Sequence, residues 1–310
     1  MATLEGQTPA RSRCVSGWRA WWSAARPRTL SVSVAPVLVG TAVAHAHGAA
    51  RALPAFAALL GAVLIQIGTN LANDLCDAQK GADADDRIGP PRAVQMGWLS
   101  PAQMQGGAAL VFGAAAGVGV YLIAVGGWPI ALIGALSIAA GVAYTGGPWP
   151  LAYHGLGDVA VFLFFGVVAV CGTCYVQMLA LPGDALAASL SIGALATAVL
   201  VVNNLRDVDT DRRAGKRTLA VRWGRSGARA EYAALLLIAY SVPLALWIGA
   251  SARVSVLLPL ATLPHAARLL RTALMREDGA SLNTALESTA RLALLFALLF
   301  AAGLLLGAAP

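Results

Sequence analysis

The chain has 310 residues, of which 58% are hydrophobic and only 12% are charged. Soluble domains carry about 25% charged residues, so this composition excludes an ordinary soluble protein and predicts an all-α integral membrane protein. The net charge of +7 does not indicate nucleic-acid binding, because the basic residues are distributed over the loops between apolar runs.

Residues 1–28 form a polar to amphipathic segment in front of the first apolar run. Five arginines lie there among three tryptophans: Arg11, Arg13, Arg19, Arg26, Arg28, Trp18, Trp21 and Trp22. Arg and Trp together are typical of a segment that lies at a membrane surface. We therefore predict an N-terminal interfacial segment over 1–28 and a membrane domain over 29–310.

Nine apolar runs follow, and each is close to the ~20 residues that a helix needs to cross a bilayer. They cover 29–47, 53–75, 103–125, 128–145, 156–180, 185–205, 231–250, 254–272 and 289–308. The sequence therefore predicts a bundle of nine transmembrane helices.

The basic residues give the orientation of this bundle. With nine spans, 20 of the 22 Lys and Arg residues fall on the side of the N-terminus, and only Arg51 and Arg253 fall on the other. Basic loops remain in the cytoplasm, so we predict a multi-pass protein of the bacterial cytoplasmic (inner) membrane. The N-terminus and the charged loops are expected in the cytoplasm, and the C-terminus on the opposite side.

The second apolar run ends in a polar stripe. In a helix, Gln66, Asn70, Asn73, Asp74 and Asp77 fall on one face. Carboxylates at the edge of an apolar slab are costly to desolvate, so they usually bind a cation or serve a reaction. The loop that follows continues with Lys80, Asp83 and Arg87.

A similar stripe ends the sixth apolar run, where Asn204, Asp207 and Asp211 are about one helical turn apart. Its neighbourhood is basic and includes Arg206, Lys216 and Arg217. Magnesium is typically held by one or two carboxylates together with substrate phosphates, and Lys and Arg can take the remaining phosphate charge. The two stretches therefore predict two halves of one magnesium–diphosphate site at the cytoplasmic pole, with an apolar tail among the helices.

The loop between the fourth and fifth runs is rich in Gly and Pro, which predicts ordered turns. Tyr144, Trp149 and Tyr153 offer flat surfaces for an aromatic partner, and an interfacial aromatic belt is the alternative interpretation. Asp158 begins the fifth run on the same side. It either orients a substrate group or caps the helix.

Four blocks resemble the UbiA superfamily of membrane prenyltransferases, and within it the MenA-type branch that prenylates 1,4-dihydroxy-2-naphthoate. The superfamily's Asn-Asp-x-x-Asp and Asp-x-x-x-Asp motifs match Asn73-Asp74-x-x-Asp77 and Asp207-x-x-x-Asp211. Gly81 replaces a further Asp of the first motif, as in the MenA branch. Asp158 stands where that branch usually has Glu. The blocks are 25–30, 73–90, 144–148 and 203–219.

The resemblance implies a UbiA-like fold and a magnesium-dependent transfer of a polyprenyl group from polyprenyl diphosphate to the aromatic acceptor, with loss of the ring carboxylate to give demethylmenaquinone. The implied catalytic and Mg²⁺-binding residues are Asp74, Asp77, Asp207 and Asp211. The implied diphosphate-binding residues are Lys80, Arg87, Lys216 and Arg217. The implied substrate-binding residues are Asn70, Asn73, Asp83, Tyr144, Asp158, Asn204 and Arg206.

Two alternatives remain open at the level of sequence. One is a UbiA-type enzyme with another acceptor, 4-hydroxybenzoate or homogentisate. The other is a cation-coupled transporter, which would favour acidic residues near the middle of the membrane, whereas those of this chain cluster at one pole beside Lys and Arg. Beyond substrates and the lipid bilayer, the sequence indicates no protein partner.

Overall fold

The structure is a computed structural model that describes residues 17–81, 89, 91–249 and 253–307, and all of its regular elements are helical. The α-helices are α1 (Gly17–Ala25), α2 (Ser31–Ala46), α3 (Ala52–Gln79), α4 (Pro101–Gly126), α5 (Trp128–Ala143), α6 (Gly157–Val161), α7 (Ala169–Met178), α8 (Gly183–Arg213), α9 (Leu219–Gly249), α10 (Leu263–Met275) and α11 (Gly279–Gly307). The remaining helical segments are the 3₁₀ turns Pro27–Thr29, Leu151–His154 and Val254–Thr262, and the π-helix Phe162–Val168 between α6 and α7.

Every predicted apolar run coincides with a helical segment, but not every segment is a full-length span. Within the described ranges, six helices are long and apolar enough to cross a membrane, and the bent pair Gly17–Thr29 with Ser31–Ala46 would be a seventh. Helix α5 has only 16 residues, and the eighth run begins as a 3₁₀ helix. The chain is thus an all-helical membrane protein, and the count of nine spans stays a prediction.

Local sequence signals explain where several helices begin and end. Ser100 and Gln103 form a capping box at the start of α4, and Pro101 occupies the first turn, where its missing N–H costs no hydrogen bond. Helix α4 ends at Gly126 and is followed by Gly127, whose φ of 72° is positive, as glycine tolerates. Pro129 then follows in the first turn of α5, so the two helices are separated by a single residue.

The centre of the bundle is α8, because 78% of its most apolar window is buried inside the protein. Glycine allows the neighbouring helix to approach closely. A Cβ atom added to Gly166, in the π-helical stretch, would lie 2.5 Å from the Cα of Gly193 on α8. Such close backbone contact between small residues is typical of packed membrane helices.

The buried side chains fall into two main groups. The larger cluster joins α2 and α7–α11, with Tyr232, Phe296 and Phe300 among its largest members. The smaller cluster joins α1, α3 and α4 and includes Leu71 and Met104. Between these two packed regions lies a cavity of about 1040 Å³.

Helix α1 packs against the smaller cluster of buried side chains. Trp21 lies on Gly107 of α4, where an added Cβ would be 2.4 Å from the indole ring. Trp18 and Trp22, one turn apart, are 67% and 62% exposed. A partly buried Trp21 on one side and exposed Trp18 and Trp22 on the other agree with an interfacial helix. The boundary between segment and domain at residue 28 stays a prediction.

Candidate active site

The cavity has a polar end and a long apolar remainder. Its polar end is formed by the C-terminal parts of α3 and α8 and by the residues that follow them. Mostly small and aliphatic side chains of α2–α5, α7 and α8 line the rest, together with Phe164 and Phe165 of the π-helix. Among the described residues, the acidic and basic ones in the cavity wall are Arg26, Asp77, Arg92, Asp207, Asp211, Arg213 and Lys216.

Asp77 joins the two predicted motifs. Its side chain is almost fully buried, and its Oδ2 accepts a hydrogen bond of 3.2 Å from Nη2 of Arg92. Its Oδ1 lies 3.1 Å from Nζ of Lys216 and accepts a 3.2 Å hydrogen bond from the hydroxyl of Tyr153. Because Lys216 follows α8, the ends of the two motif helices meet at this carboxylate.

Asp207 is held by a buried arginine on its own helix. Nε of Arg206 donates to Oδ1 of Asp207 at 2.7 Å, and Nη2 donates to Oδ2 of the same carboxylate. The guanidinium also donates to Asn203 and to Asn283 of α11. Arg206 is outside the cavity wall whereas Asp207 is part of it, so the arginine fixes the orientation of a cavity carboxylate.

Asp211 and Asn204 lie in the same wall as Asp207. Behind them is Asp158, which is 4% exposed and outside the lining. Asn204 Nδ2 lies 3.5 Å from Asp158 Oδ1, which is the long limit for a hydrogen bond. The other oxygen of Asp158 is buried without a hydrogen-bond partner in the part of the chain that the structure describes. Asp158 therefore stands one layer behind the cavity surface.

Asp74, the first acid of the α3 motif, lies outside the cavity lining. Its carboxylate accepts hydrogen bonds from the backbone N–H groups of Ala93 and Val94, at 3.0 and 3.4 Å. Arg92, which pairs with Asp77, immediately precedes these residues. Asp74 is thus placed to hold the backbone of the loop that contains Arg92.

The amides of α3 hold neighbouring elements at the cavity wall. Asn70 Nδ2 donates to the carbonyl of Ala25 at 3.0 Å, and Asn73 Oδ1 accepts from the Thr145 hydroxyl at 2.7 Å. Tyr144, directly after α5, also lines the cavity.

The predicted diphosphate ligands occupy different positions. Lys216 lines the cavity, whereas Lys80 is exposed beside it, with its Nζ donating to the Thr145 carbonyl. Arg217 is exposed outside the wall, and its backbone contacts Tyr153 and Arg222. Asp83 and Arg87 lie outside the described residues.

Arg26 and Arg92 line the cavity, although the sequence did not single them out as site residues. Tyr153, which the sequence offered only as an aromatic surface, contacts Asp77. In the sequence, Arg92 lies in the segment between α3 and α4, and Arg26 precedes Pro27 just before the first apolar run. Gln66, which the sequence placed on the polar face of α3, lines the cavity one turn inward from Asn70, and its Oε1 has no hydrogen-bond partner in the described chain.

The oxygen-rich wall fits a magnesium ion that is shared with a phosphate group. Asp77 of α3 and Asp207 and Asp211 of α8 line one end of the cavity, beside the amides of Asn203 and Asn204. In the described ranges, no three His, Cys, Asp or Glu side chains gather into a single metal-binding cluster. This donor set therefore suits Mg²⁺ that takes its remaining ligands from a diphosphate.

Comparison with known proteins places the chain in a family. The model of the UbiA prenyltransferase family matches residues 33–295. The 1,4-dihydroxy-2-naphthoate octaprenyltransferase of Escherichia coli is 39% identical, over 94% of this chain and 97% of its own. The protein of the same name from Mycobacterium tuberculosis is 47% identical, over 71% of this chain and 75% of its own.

The fold is also similar to a solved structure. A UbiA homologue from Archaeoglobus fulgidus bound to GPP and Mg²⁺ superimposes with a TM-score of 0.67, at 16% sequence identity, over 92% of this chain and 99% of the other. This confirms the UbiA-like membrane fold that the sequence predicts. Together with the family match and the two relatives, it confirms the resemblance carried by the paired Asp motifs. The chain therefore belongs to the UbiA prenyltransferase family and is an enzyme of that family.

Proposed function

We propose that this enzyme transfers a polyprenyl group from polyprenyl diphosphate to 1,4-dihydroxy-2-naphthoate, in a Mg²⁺-dependent step of menaquinone synthesis. The observation that carries the proposal is the cavity itself. Acidic residues of both motif helices lie at one end of a space of about 1040 Å³ whose remaining wall is mostly apolar. This division matches a substrate with a charged head and a hydrocarbon tail. The names of the two bacterial relatives support the acceptor.

The diphosphate head would bind at the polar end. Asp77, Asp207 and Asp211 would hold Mg²⁺, with Asn73 and Asn204 as neighbouring polar groups. When bound, Mg²⁺ supplies charge neutralisation for the departing diphosphate. Lys216 and Arg92 offer N–H donors in the cavity wall for the same oxygens. Asp74 then has a positioning role through the Arg92 loop, and Arg206 has one through Asp207.

In the reaction, the prenyl group exchanges its bond to oxygen for a bond to carbon, and the ring carbon exchanges its carboxylate for the prenyl group. The allylic C–O bond breaks, and its electron pair leaves with the diphosphate. The electron-rich ring carbon that carries the carboxylate attacks the allylic carbon and forms the new C–C bond. The bond from that ring carbon to the carboxylate then breaks, CO₂ leaves, and its electron pair restores the aromatic ring. No proton has to be removed from the attacked carbon.

The apolar wall has two tasks in this reaction. It binds the prenyl tail by burial of hydrocarbon surface, and it keeps water away from an allylic cation that water would quench. Tyr144 lines the cavity and would contact the aromatic acceptor. Asp83 and Arg87 remain candidates for the head group from the sequence alone.

The membrane arrangement is part of the proposal. The enzyme would cross the bacterial cytoplasmic membrane nine times, with residues 1–28 at the interface and 29–310 as the membrane domain. The N-terminus and the polar end of the cavity would face the cytoplasm, and the C-terminus the other side. The excess of basic residues on one side supports this orientation.

The decisive test is an acceptor comparison with purified full-length enzyme. Carboxyl-labelled 1,4-dihydroxy-2-naphthoate, 4-hydroxybenzoate and homogentisate are each incubated with Mg²⁺ and with prenyl diphosphates of several lengths. We expect the naphthoate alone to yield prenylated product, with one CO₂ released per product. Prenylation of 4-hydroxybenzoate without turnover of the naphthoate would contradict the acceptor. Chelation with EDTA should abolish turnover, and excess Mg²⁺ should restore it.

A further inference from the structure

Tyr153 lies in the 3₁₀ turn Leu151–His154, between the chain segments that follow α3 and α8. We propose that Tyr153 is a positioning residue whose ring holds Lys80 and Lys216 in place for the diphosphate of the prenyl donor. The inference rests on the proposed function, since it specifies how that site prepares its cations.

The ring contacts one lysine from each motif. Nζ of Lys80 lies 4.6 Å from the ring centroid of Tyr153, and Nζ of Lys216 lies 5.1 Å from it. Both distances are within the ~6 Å at which a cation is attracted to an aromatic face. Two ammonium groups held close together repel each other. The negative face of the shared ring offsets part of this repulsion, so the ring favours a paired arrangement of the two cations.

The hydroxyl of the same side chain reaches the acid of the first motif. It donates to Asp77 Oδ1 at 3.2 Å, and Lys216 Nζ lies 3.1 Å from that same oxygen. Tyr153, Lys216 and Asp77 therefore contact one another in pairs. This arrangement fixes the ring orientation relative to the cavity wall.

The backbone of the turn is also anchored on both sides. The N–H of Arg217 donates to the Tyr153 carbonyl at 3.1 Å, which ties the turn to the residue next to Lys216. The preceding residue, Ala152, donates its N–H to the Tyr144 carbonyl at 2.9 Å. The ring is thus presented by a well-supported turn and not by a free loop.

This support matters because Asp77 and Lys216 need different partners when substrate binds. In the structure they pair with each other. With Asp77 turned to a metal and Lys216 to a phosphate, the lysine would lose its carboxylate contact. A long lysine side chain loses much rotamer entropy when it becomes ordered. The Tyr153 ring retains the ammonium group near the cavity through this exchange, which lowers the ordering cost of binding.

Tyr153 itself is outside the cavity lining, whereas Lys216 and Asp77 are within it. It therefore acts through these residues and does not contact the reacting atoms. A role that depends on the electrons of the ring can be separated from a role in packing, because fluorine atoms withdraw electron density from the ring face while its shape is nearly retained.

The test measures the affinity of the full-length enzyme for geranyl thiolodiphosphate, an unreactive analogue, with Mg²⁺ and without acceptor. Calorimetry compares Tyr153→Phe with proteins that carry increasingly fluorinated phenylalanine at the same position. We expect Tyr153→Phe to bind within about threefold of the wild type, and the fluorinated series to weaken stepwise by about tenfold in total. In a Lys216→Met background the dependence on fluorination should become shallower.

Tyr121 of α4 provides the matched control, because the same fluorinated series there should leave affinity unchanged. Melting temperatures report whether any change is merely structural. An affinity that does not vary along the Tyr153 series would overturn the inference. Wild-type enzyme that binds the analogue but fails to prenylate the naphthoate would refute the acceptor assignment alone. A wild type that does not bind the analogue would refute the proposed function and this inference together.

Discussion

Asp77 of α3 and Lys216, which follows α8, form an ion pair of 3.1 Å between the two Asp motifs. Both side chains are largely buried, with exposed fractions of 3% and 14%. A buried carboxylate that is paired with cations and lines a cavity is well placed to exchange those cations for a metal. The pair therefore marks the point where the two halves of the chain meet at the substrate.

Replacement of this acid should remove activity. We expect Asp77→Asn to lower kcat by roughly 10²–10³-fold or more, because a charge that would hold Mg²⁺ beside the departing diphosphate is lost. Asp209→Asn is the matched control, since Asp209 is 60% exposed and its ion pairs lie on the surface. Steady-state rates over a range of Mg²⁺ concentrations test this. Near-normal turnover by Asp77→Asn would exclude it from the metal site.

Asp74 should behave differently from Asp77, although the two acids are neighbours in one motif. We expect Asp74→Asn to reduce stability by about 1–3 kcal/mol, because buried hydrogen bonds from Ala93 and Val94 to a carboxylate are weakened. The Mg²⁺ concentration for half-maximal activity should change much less than in Asp77→Asn. Thermal unfolding in detergent and Mg²⁺ titrations measure the two effects. If Asp74→Asn is stable but needs a much higher Mg²⁺ concentration for activity, Asp74 binds the metal and the positioning role is wrong.

The buried pair of Arg206 and Asp207 predicts a non-additive double mutant. Arg206→Met should cost about 3–5 kcal/mol of stability, because it leaves the Asp207 charge without its partner. Addition of Asp207→Asn should recover part of that loss, as expected for residues in direct contact. Activity should be low in both proteins. If the two stability effects simply add, the pair does not couple as the geometry indicates.

The predicted orientation can be tested independently of catalysis. A reporter that is active only outside the cytoplasm should be active when fused after residue 310, and inactive when fused within the loop that contains Lys216. The complementary cytoplasmic reporter should give the reverse pattern. The expectation follows from the concentration of basic residues on one side of the bundle. Two fusions on the same side would exclude an odd number of spans between Lys216 and the C-terminus.

The sequence was sufficient for the class of the protein and for the identity of its two polar helix ends. Apolar runs of membrane length predict helices because backbone groups in a bilayer must be satisfied within the segment. The spacing of Asn and Asp at helical intervals placed them on one face. These properties are local, so they could be inferred without knowledge of packing.

The tertiary structure decided which members of each motif face the cavity. Asp74 and Asp77 are both buried, yet only Asp77 lies in the cavity wall, because the loop that contains Ala93 covers Asp74. Arg206 lies behind Asp207, and Tyr153 meets Lys80 and Lys216 from a distant turn. Helical periodicity assigns a side chain to a face of its own helix. What covers that face depends on contacts between residues far apart in the chain, and those are formed only when the helices pack.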